Sequence, residues 1–345
     1  MTTFKLFSRP YTVAFIDDDR DFLELLAMAI PKHWNAAYYS KTHTFIEFCK
    51  HAAVMEQRDY AAFCALFSAQ ASPEHTMLKI IRYWHSNPQR WNLCEIGVLD
   101  YGMPKMTGLQ VLESLDEWHG KRVLLTGLAD ERIAVLAFNQ GLIHHYLPKH
   151  TERVMDHLVH AVNGFSPHLH FQHQQFIRSC LNDAQLSLLA EPSVVVSLNT
   201  FANEHWVEHV VLDSPFGVLG LSAMGQLSWL QLERSSDIDD LKAIAASEAW
   251  PEATQEALAQ GLVLSNSLLR QALDSGFSNR FEIASNASNT SNNRLAPAIA
   301  PIVRIGDGDV VGALFEFNLH SNTTQPPTAS YRDWRAVHAN PSVRD

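Results

Sequence analysis

Five polar residues of this 345-residue chain are of the types that phosphoryl chemistry uses: Asp17, Asp18, Asp100, Thr126 and Lys149. Each follows an apolar run. Thr12–Ile16 leads into Asp17 and Asp18, and Ile96–Leu99 leads into Asp100 within the stretch EIGVLDYGMPKMTG. Arg122–Leu125 leads into Thr126, and His145–Leu147, with Pro148 between, leads into Lys149. A carboxylate on the C-terminal tip of a buried strand sits where open α/β sheets place their ligands. Three carboxylates converging there repel one another unless a divalent cation lies among them, and hard oxygen donors with room for water suit Mg²⁺. An aspartate beside such an ion can attack phosphorus in line, and the product needs a cation and a hydroxyl donor for its oxygens. Lys149 and Thr126 are of the right types, and Asp100 is the expected acceptor. After it, Met103-Pro104 reads as a turn, and Gly108 as a residue taking positive φ at a tight loop entry.

The elements that must hold these residues alternate. The strands at 12–16, 36–40, 95–99, 122–125 and 145–147 are separated by amphipathic patterns. Phe22, Leu25, Leu26, Ala29 and Ile30 make the first apolar helix face. Phe45, Phe48, Cys49, Ala52 and Ala53 make the second, and Val111, Leu112, Leu115 and Trp118 the third. Ile133, Leu136 and Ala137 mark a helix closed by Gly141, and Val154, Leu158, Ala161 and Val162 a last one. Alternation of this kind predicts a doubly wound five-stranded parallel sheet with right-handed crossovers. Between about 54 and 90 two further helical patterns intrude, one with Phe63, Leu66 and Phe67, the other with Met77, Ile80, Ile81 and Trp84 before Asn87-Pro88. They read as a helical insertion packed on the domain's side, or as a docking or dimerisation hairpin.

With DxxMPxMxG around Asp100 and the strand-tip residues in this order, the chain over about residues 10 to 165 resembles the receiver domain of two-component response regulators. The resemblance implies a flavodoxin-like fold in which Asp100 is phosphorylated and Asp17 and Asp18 hold Mg²⁺, joined by Asp100 and the backbone carbonyl of Gly102. It implies that Thr126 is the switch hydroxyl, Lys149 the lysine on the phosphoryl group and Tyr146 the rotating aromatic. The phosphoryl donor would be a phosphohistidine on a sensor histidine kinase or a phosphotransfer protein. A homodimer through the 129–165 face, or through the linker helix, is a further expectation. Two departures stand out. The family usually has Pro directly after its lysine, where this chain has His150, so a trans bond at 149–150 is expected. The insertion also makes the interval from Asp18 to Asp100 unusually long.

The second half is read as a linker helix over 166–191, a smaller α+β output domain over 192–320 and a flexible tail over 321–345. His168, His170 and His173 invite a metal site, yet fit a polar linker equally well. A helix is expected at Thr200–Val211 and hairpins at 217–232 and 298–317. A helix capped at Ser235 or Ser236 and two later helices complete the domain, with a low-complexity loop at 285–293. Trp229 and the Gly225 turn bear a faint likeness to the opening hairpin of PAS-like sensor domains. More loosely, this half resembles output halves of bacterial regulators, some tied to quorum or density signalling. It carries no P-loop, GGDEF-like turn or HExxH, and Glu256-Ala257-Leu258 reads as helix surface. No constellation of nucleophile, base and oxyanion donors marks it as an enzyme. An output acting through protein or small-molecule binding is therefore expected, with a phosphorylation-controlled enzyme or a transcriptional regulator as the alternatives.

Charge supports that order. The net charge is −11, and residues 166–345 hold roughly ten Lys+Arg against nineteen Asp+Glu. An acidic half whose single lysine is Lys242 is poorly suited to DNA phosphates. The four cysteines, Cys49, Cys64, Cys94 and Cys180, have no CxxC spacing, which fits buried thiols in a reducing cytoplasm. The first apolar run ends in acids, unlike a signal peptide, and no stretch reaches the ~20 apolar residues of a membrane span.

Overall fold

The structure is a computed structural model, described here over residues 3–67, 73–127, 131–247, 249–266, 281–283, 298–319, 330–338 and 343–344. The second of the two later helices expected in that half and the loop at 285–293 lie outside those residues. The chain divides into two compact units. One comprises Pro10–Ala62, Gln89–Leu169 and Trp334–Asp345; the other comprises Met1–Arg9, Phe63–Pro88 and His170–Asp333.

The first unit is the parallel one. After β1 (Phe7–Ser8), which belongs to the other unit, come β2 (Thr12–Ile16), α1 (Arg20–Ala29), β3 (Asn35–Tyr39) and α2 (Thr42–Leu66). After α3 (Pro73–Ser86), which lies in the other unit, come β4 (Cys94–Asp100), α4 (Gly108–Glu113), β5 (Lys121–Thr126), α5 (Glu131–Asn139), β6 (His145–Pro148) and α6 (Val154–Gly164). The sheet order is β3-β2-β4-β5-β6, all parallel, the flavodoxin-like order with both faces covered. Alternation within each strand divides its side chains between two cores. Ala14, Ile16, Leu99 and Leu124 join Phe45, Leu112 and Trp118 on one face. Val13, Phe15, Val98 and Val123 join Leu23, Leu26 and Leu158 on the other. Strands buried on both faces are continuous apolar runs for this reason.

Local chemistry sets the helix ends. The Asp19 carboxylate accepts the Phe22 N–H at 3.1 Å and caps α1. Thr107 and Gln110 form a reciprocal capping box on α4. Two helices differ from the sequence pattern. The apolar stripes at 45–53 and 63–67 lie on one continuous α2 instead of two helices. Helix α4 stops at Glu113, although Leu115 and Trp118 remain buried; the Trp118 indole N–H donates to the Cys94 carbonyl at 2.9 Å and turns the chain toward β5.

Where a flexible tail was expected, residues Tyr331–His338 form a helix, α12. Within the parallel unit Trp334 meets Trp91 edge-on at 5.8 Å, and Arg335 donates to the Trp34 carbonyl at 3.1 Å. Arg344 bridges to Tyr39 on the outer strand.

The second unit is built on an antiparallel sheet with strand order β1-β7-β8-β9-β13-β12-β10, β11 pairing with β13. Its strands are β7 (Glu208–Leu212), β8 (Gly217–Leu221), β9 (Leu227–Arg234), β10 (Val263–Asn266), β11 (Phe281–Ile283), β12 (Ala298–Arg304) and β13 (Val310–Leu319). Its remaining helices are α7 (Phe171–Cys180), α8 (Asp183–Leu188), α9 (Pro192–His205), α10 (Ile238–Ser247) and α11 (Glu252–Ala259). Both expected hairpins are present, as β8–β9 and β12–β13.

Three features of this unit depart from the sequence reading. The helix expected at 200–211 is instead the end of α9 followed by β7, because Val210 and Val211, buried on opposite faces, belong to a strand that pairs with both β8 and β1. The expected linker helix is broken into a 3₁₀ turn at Ser166–His168, then α7 and α8. The unit also takes in more of the chain than 192–320, and is the longer of the two, since it recruits the N-terminal strand, the end of α2 and α3. Phe7 explains part of this: its ring stacks on His173 at 4.6 Å and meets Phe63 edge-on at 5.1 Å.

Candidate functional site

The carboxyl edge of the parallel sheet gathers the reacting types. Asp17 follows β2, Asp100 ends β4, Thr126 ends β5 and Lys149 follows β6. Asp17, Asp18 and Asp100 each offer a carboxylate oxygen, and the three oxygens lie within 4.8 Å of one another. Asp17 is 3 % and Asp100 6 % exposed, whereas Asp18 is open to solvent. The Lys149 ammonium bridges the two buried acids, at 2.6 Å from Asp17 Oδ2 and 2.8 Å from Asp100 Oδ1. The Phe22 ring lies 4.5 Å from the same ammonium and supports it from the side by a cation–π contact.

The other oxygen of each buried acid accepts a backbone N–H. Asp17 Oδ1 accepts the Asp19 N–H at 3.0 Å, and Asp100 Oδ2 accepts the Gly102 N–H at 2.7 Å. Asp100 is thereby held in one rotamer with its second oxygen toward Lys149. Gly108 does not take positive φ; Lys105 does, at 73°. Gly108 is required for another reason: a Cβ there would fall on the Asp100 carbonyl oxygen and press on Leu124. Its N–H donates to the Tyr101 carbonyl at 3.0 Å, so the loop after Asp100 closes tightly back on its strand.

Electrostatics follow from this crowding. Burial pushes the Asp17 carboxyl up to about 6, against the opposing pull of Lys149 and the Asp19 N–H, with Asp100 adding repulsion. Burial alone would lower the Lys149 ammonium, but its bonds to Asp100 and Asp17 hold it above its usual value. The two tendencies pull the shared proton in opposite senses. The ionised pair is favoured, because a 2.6 Å contact between charged partners offsets part of the cost of burying either one. A clustered set of hard oxygen donors, two buried and one solvent-facing, fits a small divalent ion such as Mg²⁺.

Thr126 and Tyr146 sit beside this cluster. Thr126 is buried, its register partner is Pro148, and its carbonyl accepts the Lys149 N–H at 2.7 Å. Tyr146 pairs with Leu124 and packs, half-buried, against the core that holds Leu112 and Ala137. The peptide bond at 149–150 is trans, and the His150 imidazole bonds to the Gly127 carbonyl at 3.1 Å. Asp19, Phe22 and the Gly102 N–H were not singled out as site residues by sequence. The signal for Asp19 was its N-cap position one residue before α1.

The histidine cluster is used differently. His168 is exposed, while His170 and His173 are buried with rings 6.5 Å apart and nearly perpendicular. His170 Nε2–H donates to the Arg9 carbonyl at 3.0 Å and His173 stacks on Phe7, so these two imidazoles pack the core of the antiparallel unit. Other buried polar groups of that unit also bond to one another. Asn266 donates to Gln231 at 2.8 Å, and Gln231 donates to Glu233 at 3.0 Å, with burial pushing Glu233 up to about 6. His209 Nε2–H donates to the Lys5 carbonyl at 3.0 Å, and burial pushes its imidazole down to about 4. Among the described residues, the acidic strand tips form the one group suited to a metal ion, and no helix is long and apolar enough to cross a membrane.

No protein-family model matches the sequence, and no curated protein matches it. Solved structures do. The response regulator LqsR of Legionella pneumophila superposes over 97 % of this chain and 97 % of its own, with a TM-score of 0.66 at 19 % identity. Shorter matches include a CheY-like receiver domain from Methanospirillum hungatei, with 12 % identity over 48 % of this chain and 98 % of its own and a TM-score of 0.30. The receiver domain of an HD domain-containing protein from Pseudomonas fluorescens has 16 % identity over 48 % and 98 %, also at a TM-score of 0.30. It is the full-length likeness that carries weight: this chain has the fold of a response regulator, a receiver-like parallel unit and an antiparallel-sheet unit together.

Proposed function

We propose that the chain is a phosphorylation-controlled signalling switch in which Asp100 accepts a phosphoryl group. One observation carries this reading: the Lys149 ammonium bridges Asp17 and Asp100 at a sheet edge where three carboxylate oxygens converge. An Asp100 oxygen forms a bond to phosphorus as the donor's N–P bond breaks. The donor is a phosphohistidine of a sensor kinase or a phosphotransfer protein. The Gly102 N–H keeps the carboxylate in its attacking rotamer. Lys149 moves from the Asp100 carboxylate to an oxygen of the transferred group, and the Thr126 hydroxyl turns toward another. Asp17, Asp18, Asp100 and the Gly102 carbonyl would hold Mg²⁺, and the ion would supply positive charge to offset that of the transferring group. Tyr146 then follows Thr126, and the surface of α5, β6 and α6 changes shape.

The antiparallel unit is the output. Its internally bonded polar groups and its acidic balance support action through a protein or small-molecule partner in preference to DNA. Labelling with a small-molecule phosphodonor in the presence of Mg²⁺ tests the switch: the wild-type chain takes up label, and Asp100→Asn takes up none. Equal labelling of the two would defeat the assignment.

A further inference from the structure

From the geometry around residues 149 and 150 we infer that His150 is a positioning residue for the switch, a side-chain latch on the chain that follows Thr126. The inference rests on the phosphoacceptor reading of Asp100. Strands β5 and β6 pair as far as Thr126 and Pro148. Beyond the last pair the ladder continues by one backbone bond, Lys149 N–H to the Thr126 carbonyl at 2.7 Å. It then continues by one side-chain bond, His150 Nε2 to the Gly127 carbonyl at 3.1 Å. A carbonyl oxygen only accepts, so Nε2 carries the hydrogen and the ring is either in its Nε2–H tautomer or doubly protonated.

Two neighbouring side chains thus grip three strand tips. Lys149 holds the acids after β2 and on β4, while His150 holds the backbone directly after the Thr126 that ends β5. Among the described residues, the atom nearest to a Cβ position at Gly127 is His150 Nε2, at 3.9 Å. The imidazole is thus placed to hold that carbonyl. When Lys149 leaves the Asp100 carboxylate for a phosphoryl oxygen, and Thr126 turns with it, the adjacent His150 bond must lengthen or break. The bond stabilises the arrangement described here and raises the cost of switching. Proline at this position, lacking a side-chain donor, could not make it.

A single exposed hydrogen bond shifts such an equilibrium by about two- to fivefold. The test uses the full chain with Mg²⁺ and beryllofluoride, titrated by tryptophan fluorescence or calorimetry, alongside thermal unfolding without the mimic. His150→Ala is expected to bind beryllofluoride about two- to fivefold more tightly than wild type, with a slightly lower unfolding midpoint in the absence of the mimic. His150→Gln, whose amide can donate to Gly127, is expected to return toward wild-type affinity. Wild-type affinity in His150→Ala, or a Gln variant indistinguishable from the Ala variant, overturns the latch while leaving the phosphoacceptor reading intact. Failure of the wild-type chain to bind the mimic removes the phosphoacceptor reading and the latch with it.

Discussion

The two units treat buried ionisable groups in opposite ways. At the parallel sheet's edge, ionisable groups are crowded together: two carboxylates and an ammonium stand within 2.8 Å contacts, and burial pushes Asp17 up to about 6 against the pull of Lys149. Inside the antiparallel unit, the buried groups described above meet backbone and neutral amides instead of a crowd of charges. His209 is pushed down to about 4 and stays neutral while donating to the Lys5 carbonyl. Asn266, Gln231 and Glu233 satisfy one another in sequence. Crowded charge that a fold does not need for its own stability marks a site built for a charged visitor. Neutral polar groups bonded to backbone and to each other mark structure. That contrast supports the proposal that the reaction belongs to Asp100 and its neighbours, with the antiparallel unit as the responding half.

The largest test of the contrast removes a structural anchor. Phe7 is buried between His173 and Phe63, and Phe7→Ala is expected to cost about 3–5 kcal/mol in denaturant unfolding. Labelling of the folded fraction at Asp100 should persist. If labelling vanished while the variant remained folded, the division of labour between the units would be wrong.

Next is pH. A His whose native pKa lies below its unfolded value binds more protons when unfolded, so its contribution is fully present above about 6.5 and is lost as pH falls toward about 4. The difference between wild type and His209→Gln should therefore grow in favour of wild type as pH rises across that window, by up to about 3 kcal/mol. Asp17 has the opposite sign. With its native value raised, ionisation costs stability as pH climbs from its ordinary 3.8 to about 6, so Asp17→Asn should flatten a falling limb. Equal slopes in the two variants, measured by urea unfolding at stepped pH, would erase the contrast.

The smallest change tests the loop that presents Asp100. Gly108→Ala places a methyl group on the Asp100 carbonyl oxygen, with an expected cost of about 1–3 kcal/mol. Because that oxygen belongs to the acceptor's own backbone, labelling should also slow, as followed by a phosphodonor time course. A stability loss with an unchanged labelling rate would show that the loop does not set the acceptor's position.

The parallel unit was legible because four of its five strands carry a short apolar run that leads to a chemically distinct residue, with Asp17, Asp100, Thr126 and Lys149 at or just beyond those ends. Sequence also identified the departure at His150, though not its bond to Gly127. The antiparallel unit was harder because its pairings are long-range. Phe7 and Ser8 find their partners in Val210 and His209, some two hundred residues away, and no local pattern announces that. Residues 200–211 carry apolar positions that suit a helix as well as a strand, and only pairing with β8 and β1 decides between them. His170 and His173 look like a polar or metal-binding tract until Phe7 and the Arg9 carbonyl arrive from the other end of the chain. Trp334 looks like part of a tail until Trp91 is beside it.

The central claim has a direct measurement. The full chain is incubated with acetyl phosphate and Mg²⁺, the acyl phosphate is trapped by borohydride reduction, and the modified residue is mapped by peptide mass spectrometry. The account predicts a single modified position, Asp100, lost when the metal is chelated and absent from Asp100→Asn. Modification centred on any other aspartate, or undiminished in that variant, would contradict it.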